Sequence, residues 1–238
     1  VTARSCDPSE QTPQPIIAPA TSNGMNQNRA SGNKNKTNND STQQDKTQVI
    51  LDAAIRVFAE KGYYGARVSD IAGEAGIAYG LVYHYFKNKE DLLISIFKTR
   101  WDQFLSAIRS IMDGGGDPGE MIRKVISFLF HSYKNNPAMI EVMIMDVTKS
   151  TRFLNDENIS HFLEAFSLIA RIVDLGKDTG VFRSDIDSTM AAYTIYGSVE
   201  RMMLLWILRD QKSITTEEAK SASGMVSSIL LNGMISCT

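Results

Sequence analysis

The 238-residue chain is poor in the residues that build covalent or metal-held frameworks, with two cysteines and three histidines. Cys6 and Cys237 stand near opposite ends and form neither a metal-ligand spacing nor a disulfide framework, which points to a reducing, cytoplasmic setting. Long apolar runs are missing as well. Stretches such as 202–208 fall far short of the roughly 18 residues a membrane-spanning helix needs, so no membrane partner is expected. The first fifteen residues lack the basic-then-apolar pattern of a secretory signal. Neither sign of charge dominates: 25 Lys and Arg against 27 Asp and Glu leave a net charge of −2. A nucleic-acid site therefore has to be a local patch, because no bulk positive field exists. Catalytic signatures are lacking too, with no phosphate-binding glycine loop, nucleophile elbow or His-Glu-x-x-His. No catalytic residue, metal or cofactor is expected.

What is present is an ordinary globular composition, 43% hydrophobic and 22% charged. Residues 1–46 differ from the rest, holding seven Asn and five Gln and no aromatic residue. Such a stretch cannot bury enough apolar surface to offset its ordering entropy, so a disordered tail is expected over 1–46. Its Arg29, Lys34, Lys36 and Lys46 serve either as a basic arm against phosphate or as solubilising charge. Val1 opens the chain and a methionine stands at 25, which raises the expectation of a translation start at Met25.

From Thr47 onward, apolar residues recur at helical spacing and no strand or hairpin pattern emerges, so the fold class is all-α. Ile50, Ala53, Ala54, Val57 and Phe58 make one apolar face, closed by Gly62. Val68, Ile71, Ala72 and Ala75 mark a short second helix ending at Gly76, and residues 77–86 a third. Asn88 caps a fourth helix running through Leu92, Leu93, Ile96 and Phe97 towards Met112. After a glycine-rich loop, Asp117-Pro118-Gly119-Glu120 supplies an N-cap, a proline at the first helical position and a capping-box glutamate. Helices are predicted near 120–135, 137–150, 157–178, 188–210 and 216–233, the last behind a Thr215-x-x-Glu218 box.

Residues 71–86 read as two short helices around Gly76. Ala72 suits the crossing point of a helix-turn-helix, and Gly76 suits a turn that needs positive φ. Val82, Tyr85 and Phe86 form an inward stripe at i, i+3 and i+4. Tyr79, Gly80, Tyr83, His84 and Lys87 form the opposite stripe. A glycine inside a helix costs about 1 kcal/mol against alanine, so close approach of the backbone to another surface is the natural compensation. Periodicity alone also allows Tyr83, Tyr85 and Phe86 as core aromatics and His84 as an ordinary surface histidine.

Residues 50–93 resemble the N-terminal DNA-binding domain of the TetR/AcrR family of transcriptional regulators. The resemblance rests on Phe58, Gly62 and Tyr63, the Ile71-Ala72 and Ala75-Gly76 pairs, Gly80, the Tyr83-x-Tyr85-Phe86 cluster and Lys89-Glu90-x-Leu92. It implies a DNA-binding domain over 47–95 and an effector-binding and dimerisation domain over 96–238. A homodimer would place two recognition helices in successive major grooves of a palindromic double-stranded operator. By the same resemblance, Gly80 lets the helix sit close to the duplex and Tyr79 touches base edges. Tyr83, His84 and Lys89 would reach phosphate. Three positions depart from the family pattern. Arg67 replaces a hydroxyl residue and is itself a candidate phosphate contact, with Ser69 taking over capping. Ala78 leaves the N-cap of the recognition helix unfilled. Leu81 stands where a threonine is common, so readout is expected to lean on thymine methyls and DNA shape.

The remaining residues match the family only in helical character. The methionine-rich run 139–145 is apolar nearly all round a helix, so it is expected to be buried, either as core or as the wall of a cavity. Phe128, His131, Met139, Met143, Phe162 and Phe166 are the candidate ligand-binding residues, for a small hydrophobic effector of the fatty-acid or acyl-CoA kind. His131, His161, Arg152 and Arg171 are the candidates for an acidic head group. In the resemblance, the last two helices meet their twofold mates as a four-helix bundle, through Val199, Met203, Trp206, Met225 and Ile229. The expected function is a ligand-responsive regulator, a repressor. The alternative is an effector-free helix-turn-helix protein with an architectural or partner-docking role.

Overall fold

The computed structural model describes the backbone of residues 34–147, 156–211 and 213–235, and side chains from residue 46 apart from 156 and 157. Cys6, Met25, Arg29, Arg152 and Cys237 lie outside the described residues. The described chain is helical: α1 (Lys34–Gly65), α2 (Val68–Glu74), α3 (Tyr79–Tyr85), α4 (Lys89–Asp113), α5 (Pro118–Asn135), α6 (Pro137–Met145), α7 (Asp156–Asp178), α8 (Ser188–Leu208) and α9 (Thr216–Met234). Among these residues the only β feature is an isolated antiparallel bridge between Phe182 and Ile235.

The N-caps predicted at Asn88, Asp117 and Thr215 do the work assigned to them, while the Glu120 carboxylate pairs with Arg123 at 2.6 Å and does not close a box with Asp117. Asn88 accepts a hydrogen bond from the Asp91 N–H at 2.8 Å and Asp117 from the Glu120 N–H at 2.8 Å. Thr215 and Glu218 form the reciprocal box that starts α9. One cap differs from expectation. The Asp70 carboxylate, not Ser69, serves the start of α2 by accepting the Arg67 N–H at 3.0 Å. Position N3 reaches back over the first turn, whereas Ser69 stands at N2 and is exposed. That hydrogen bond, the largest influence, and then Lys61 hold the Asp70 carboxyl below the usual carboxylate range.

The first helix begins earlier than the composition predicts. The tail expected over 1–46 lies in part outside the described residues, yet from Lys34 the backbone is already helical. Extending a helix from an apolar nucleus already packed at 50–58 costs far less than starting one, so polar residues follow the helix outward. Gly62 (φ 67°, ψ 161°) breaks the helical geometry near its end. The segment Ser41–Thr238 forms one body. Helix α4 runs unbroken through residue 96, so the expected division at 95/96 falls inside a helix.

Helix α5 is the hub, packing against α4, α6, α7, α8 and α9. Its Ile122, Val125, Ile126 and Phe130 are fully buried. Each such side chain contributes about 1.5–3 kcal/mol against leaving it in water. Gly176 on α7 lies under Phe182, so close that an added Cβ would stand 2.1 Å from the ring. The run 139–145 is not buried as a whole. Met139 and Val142 are buried, while Ile140, Met143, Ile144 and Met145 are half-buried. An all-apolar helix suggests a dry surround on every side. Here one side opens on a cleft.

Candidate DNA-binding face and effector cleft

Helices α2 and α3 join through Gly76, whose φ of 66° gives the left-handed turn that lets α3 turn away from α2. Ile71, Ala72, Val82 and Phe86 are buried at the crossing and Tyr85 packs half-buried beside them. Ala78 has extended backbone geometry and no side-chain cap, as its methyl dictates. Arg56 reaches Glu74 at 2.5 Å and Lys61 reaches Asp70 at 3.3 Å, joining α2 to α1.

The opposite side of α3 is open to solvent. Tyr79 is 53% exposed and Tyr83 44%, and Gly80, His84, Lys87, Arg67 and Ser69 are exposed as well. A Cβ built on Gly80 meets no atom within 4 Å, so no neighbour within the described protein requires glycine there. The Tyr79 and Tyr83 hydroxyls share a hydrogen bond at 2.9 Å, with their rings edge to face at 5.2 Å. The bond to Tyr79 is the largest cause holding the Tyr83 phenol above the usual tyrosine range. Both rings thus present one linked polar edge.

Lys89 is placed otherwise than expected. Its ammonium donates to the carbonyls of Tyr63 at 2.6 Å and Ala66 at 2.9 Å, and sits 4.4 Å from the centre of the Tyr63 ring. It therefore caps the end of α1, and burial lowers its pKa while Asp146 opposes that shift. A charge turned to two backbone oxygens and a ring face is directed into the protein. A side-chain phosphate contact is not its observed role.

A second feature lies between α4, α5, α6 and α8, a narrow cleft enclosing about 80 Å³. Trp101 and Phe104 of α4, Phe128 and Leu129 of α5, Met139, Ile140, Met143 and Ile144 of α6, and Val199 and Met203 of α8 are the apolar lining. Of the six expected ligand residues, Phe128, Met139 and Met143 line it. Phe162 and Phe166 stand one layer back: Phe162 stacks on Trp101 at 4.7 Å, and Phe166 meets Tyr196 at 5.2 Å. His131 is absent from the lining; its Nδ1 lies 2.8 Å from the Ser127 carbonyl. His161 pairs with Asp102 at 3.0 Å in a separate polar groove, and Arg171 is exposed on α7. The cation in the lining is Arg100, with Gln103, Ser132, Tyr196 and Glu200 the other polar groups. Burial first and Glu200 second push the Tyr196 phenol far up, so it stays protonated.

Sequence periodicity missed Trp101, Phe104 and Arg100 because the apolar face of α4 continues without a break from Leu92. Spacing shows which residues face inward, but it does not reveal whether packed atoms or a void lies opposite. The dimer expectation needs a correction of the same kind. Val199 and Met203 are 1% and 4% exposed and line the cleft, and Trp206 packs on Phe130 and Tyr133. These three face the chain's own interior. Met225 and Ile229, at 61% and 66%, are exposed as expected, and Met190, Tyr193, Leu205 and Leu208 form the exposed stripe of α8.

Comparison with known proteins agrees with this geometry. The description "Bacterial regulatory proteins, tetR family" fits residues 50–96, and "YsiA-like protein, C-terminal region" fits residues 97–228. The chain is 32% identical over 164 residues to the fatty acid metabolism regulator protein of Bacillus subtilis strain 168, covering 68% of this chain and 84% of that one. It is 29% identical over 147 residues to the transcriptional repressor KstR2 of Rhodococcus jostii, covering 60% and 70%. Among solved structures, the fatty acid degradation regulator FadR from Bacillus halodurans superposes with a TM-score of 0.72 at 30% identity, covering 79% of this chain and 95% of that one. FadR from Bacillus subtilis, solved in complex with stearoyl-CoA, does so with a TM-score of 0.67 at 29% identity, covering 78% and 98%. With both parts of the chain matched and the helix-turn-helix in place, the protein belongs to the tetR family of bacterial transcriptional regulators.

Proposed function

We propose that the protein is a homodimeric repressor that leaves its operator when an acyl chain, carried as a fatty acid or acyl-CoA, enters the cleft between α4, α5, α6 and α8. The observation that carries this reading is the cleft itself. Its walls are aromatic and methionine-rich, and it reaches α4, the helix that follows α3. The relatives named for fatty acid regulation support an acyl ligand.

The DNA contacts in this reading come from Tyr79 and the Gly80 backbone at the groove floor. Tyr83, His84, Lys87 and Arg67 lie along the phosphates. Two copies meet through the exposed stripes of α8 and α9. An effector shifts the equilibrium between two helix arrangements only by its difference in affinity for them. An effector-free architectural protein has no use for such a cleft.

Mass spectrometry of small molecules extracted from the purified protein tests the reading. An acyl-chain compound should accompany the wild type and be lost from Met143→Trp, whose side chain fills the cleft. Recovery of a polar, chain-free ligand, or equal recovery from both proteins, would count against it.

A further inference from the structure

Arg100 holds an anion that belongs to the chain itself. One terminal guanidinium nitrogen lies 3.6 Å from the Asp52 carboxylate on α1, and the other donates to Gln103 at 3.2 Å on its own helix. The same side chain lines the cleft and is the cation among its described lining residues. We propose that Arg100 is the anion-binding group of the cleft, and that the anionic group of an effector takes it from Asp52. This rests on the reading of the cleft as the effector site.

The exchange is chemically easy. At 3.6 Å the Arg100–Asp52 pair is longer than the roughly 2.7–2.9 Å of a charge-assisted hydrogen bond. Asp52 is 43% exposed and also accepts the Gln48 amide at 2.8 Å, so losing Arg100 leaves it hydrated and still bonded. Arg100 is 22% exposed, with Trp101 and Phe104 as the adjoining apolar lining on α4. A planar guanidinium offers two parallel donors to a carboxylate or a phosphate, a closer match than the single long contact it has now. Glu200 is the carboxylate of the lining and stands on α8. It disfavours an anion along that wall and leaves the α4 end as the place for one.

The exchange also explains how cleft and DNA face communicate. Asp52 belongs to α1, to which α2 is joined by the Arg56–Glu74 and Lys61–Asp70 pairs. The Arg100–Asp52 pair ties that unit to α4 beside the cleft. An apolar chain alone leaves the tie in place. A chain with an anion at its end cuts it.

The test is fluorescence anisotropy of the full chain on a DNA fragment it selects from a random pool. Three probes share one chain, namely laurate, lauroyl-CoA and dodecanol. Laurate, lauroyl-CoA or both should release the DNA, the difference between them showing whether carboxylate or phosphate is the anion, while dodecanol should not. In Arg100→Met, the response to the active anionic probe should fall to that of dodecanol. Without any probe, Asp52→Asn and Arg100→Met should each weaken DNA binding about two- to fivefold, and the double variant no further. Equal release by dodecanol, an unaltered anionic response in Arg100→Met, or wild-type DNA affinity in Asp52→Asn would overturn the proposal. If no probe acts yet the paired variants behave as stated, the tie stands and the acyl-effector reading is the part that fails.

Discussion

Tyr79 and Tyr83 share one hydrogen bond, and the residue between them on that face is a glycine with nothing near its Cβ position. Position 80 therefore separates stability from function. Gly80→Ala removes a glycine from an open site in the first turn of α3, so folding stability should stay level or rise by less than about 1 kcal/mol. The same methyl would stand between α3 and the duplex, and DNA affinity should drop. Thermal melts and operator titrations on one preparation check both signs. A variant that melts earlier and binds DNA normally would mean that the glycine serves the fold. Lys89 shows the opposite case, a residue that resembles a phosphate contact in sequence and acts as a cap in the structure. Its position at the start of α4 was legible. The carbonyls that claim its ammonium come from 23 and 26 residues away, and local pattern cannot register them.

Helix starts were legible because their causes are local: Asn88, Asp117 and Thr215 each act on an N–H three residues on. The inner and outer faces of α3 were legible too, since Val82 and Phe86 differ in chemistry from Tyr79 and His84. Helix α8 was not. Its buried stripe is apolar, and its exposed side carries Met190, Tyr193, Leu205 and Leu208 beside Thr194 and Arg201, so spacing found large apolar residues on both faces and no way to choose between them. The structure chooses, and that sets a pair of experiments. Met225→Glu combined with Leu205→Glu alters only exposed positions and should yield folded monomers by analytical ultracentrifugation. Met203→Glu places a carboxylate among buried cleft-lining side chains and should lower stability by several kcal/mol. If the first pair leaves the sedimentation coefficient unchanged, the α8/α9 surface is not where two copies meet.

Across the whole molecule, a polar route of contact runs from the cleft to the DNA face: cleft wall, α4, the Arg100–Asp52 pair, α1, then α2 and α3, with the Lys89 bonds to the end of α1 beside it. The net charge of −2 offers no bulk attraction to DNA, and in the proposed reading affinity comes from two copies of a small patch held at the right separation. That makes binding sensitive to small helix displacements, which suits a regulator whose signal arrives at α4. Family membership was legible because some 45 contiguous residues carry the helix-turn-helix pattern. The cleft was not, because a void leaves no residue of its own in a sequence.

The most direct measurement is the affinity of the full chain for its selected DNA fragment, with and without saturating laurate or lauroyl-CoA, in the wild type and in Met143→Trp. The active anionic probe should weaken binding of the wild type about two- to fivefold, the loss that breaking the Arg100–Asp52 pair itself produces, and leave Met143→Trp unmoved. A wild-type affinity that neither laurate nor lauroyl-CoA changes would contradict the account.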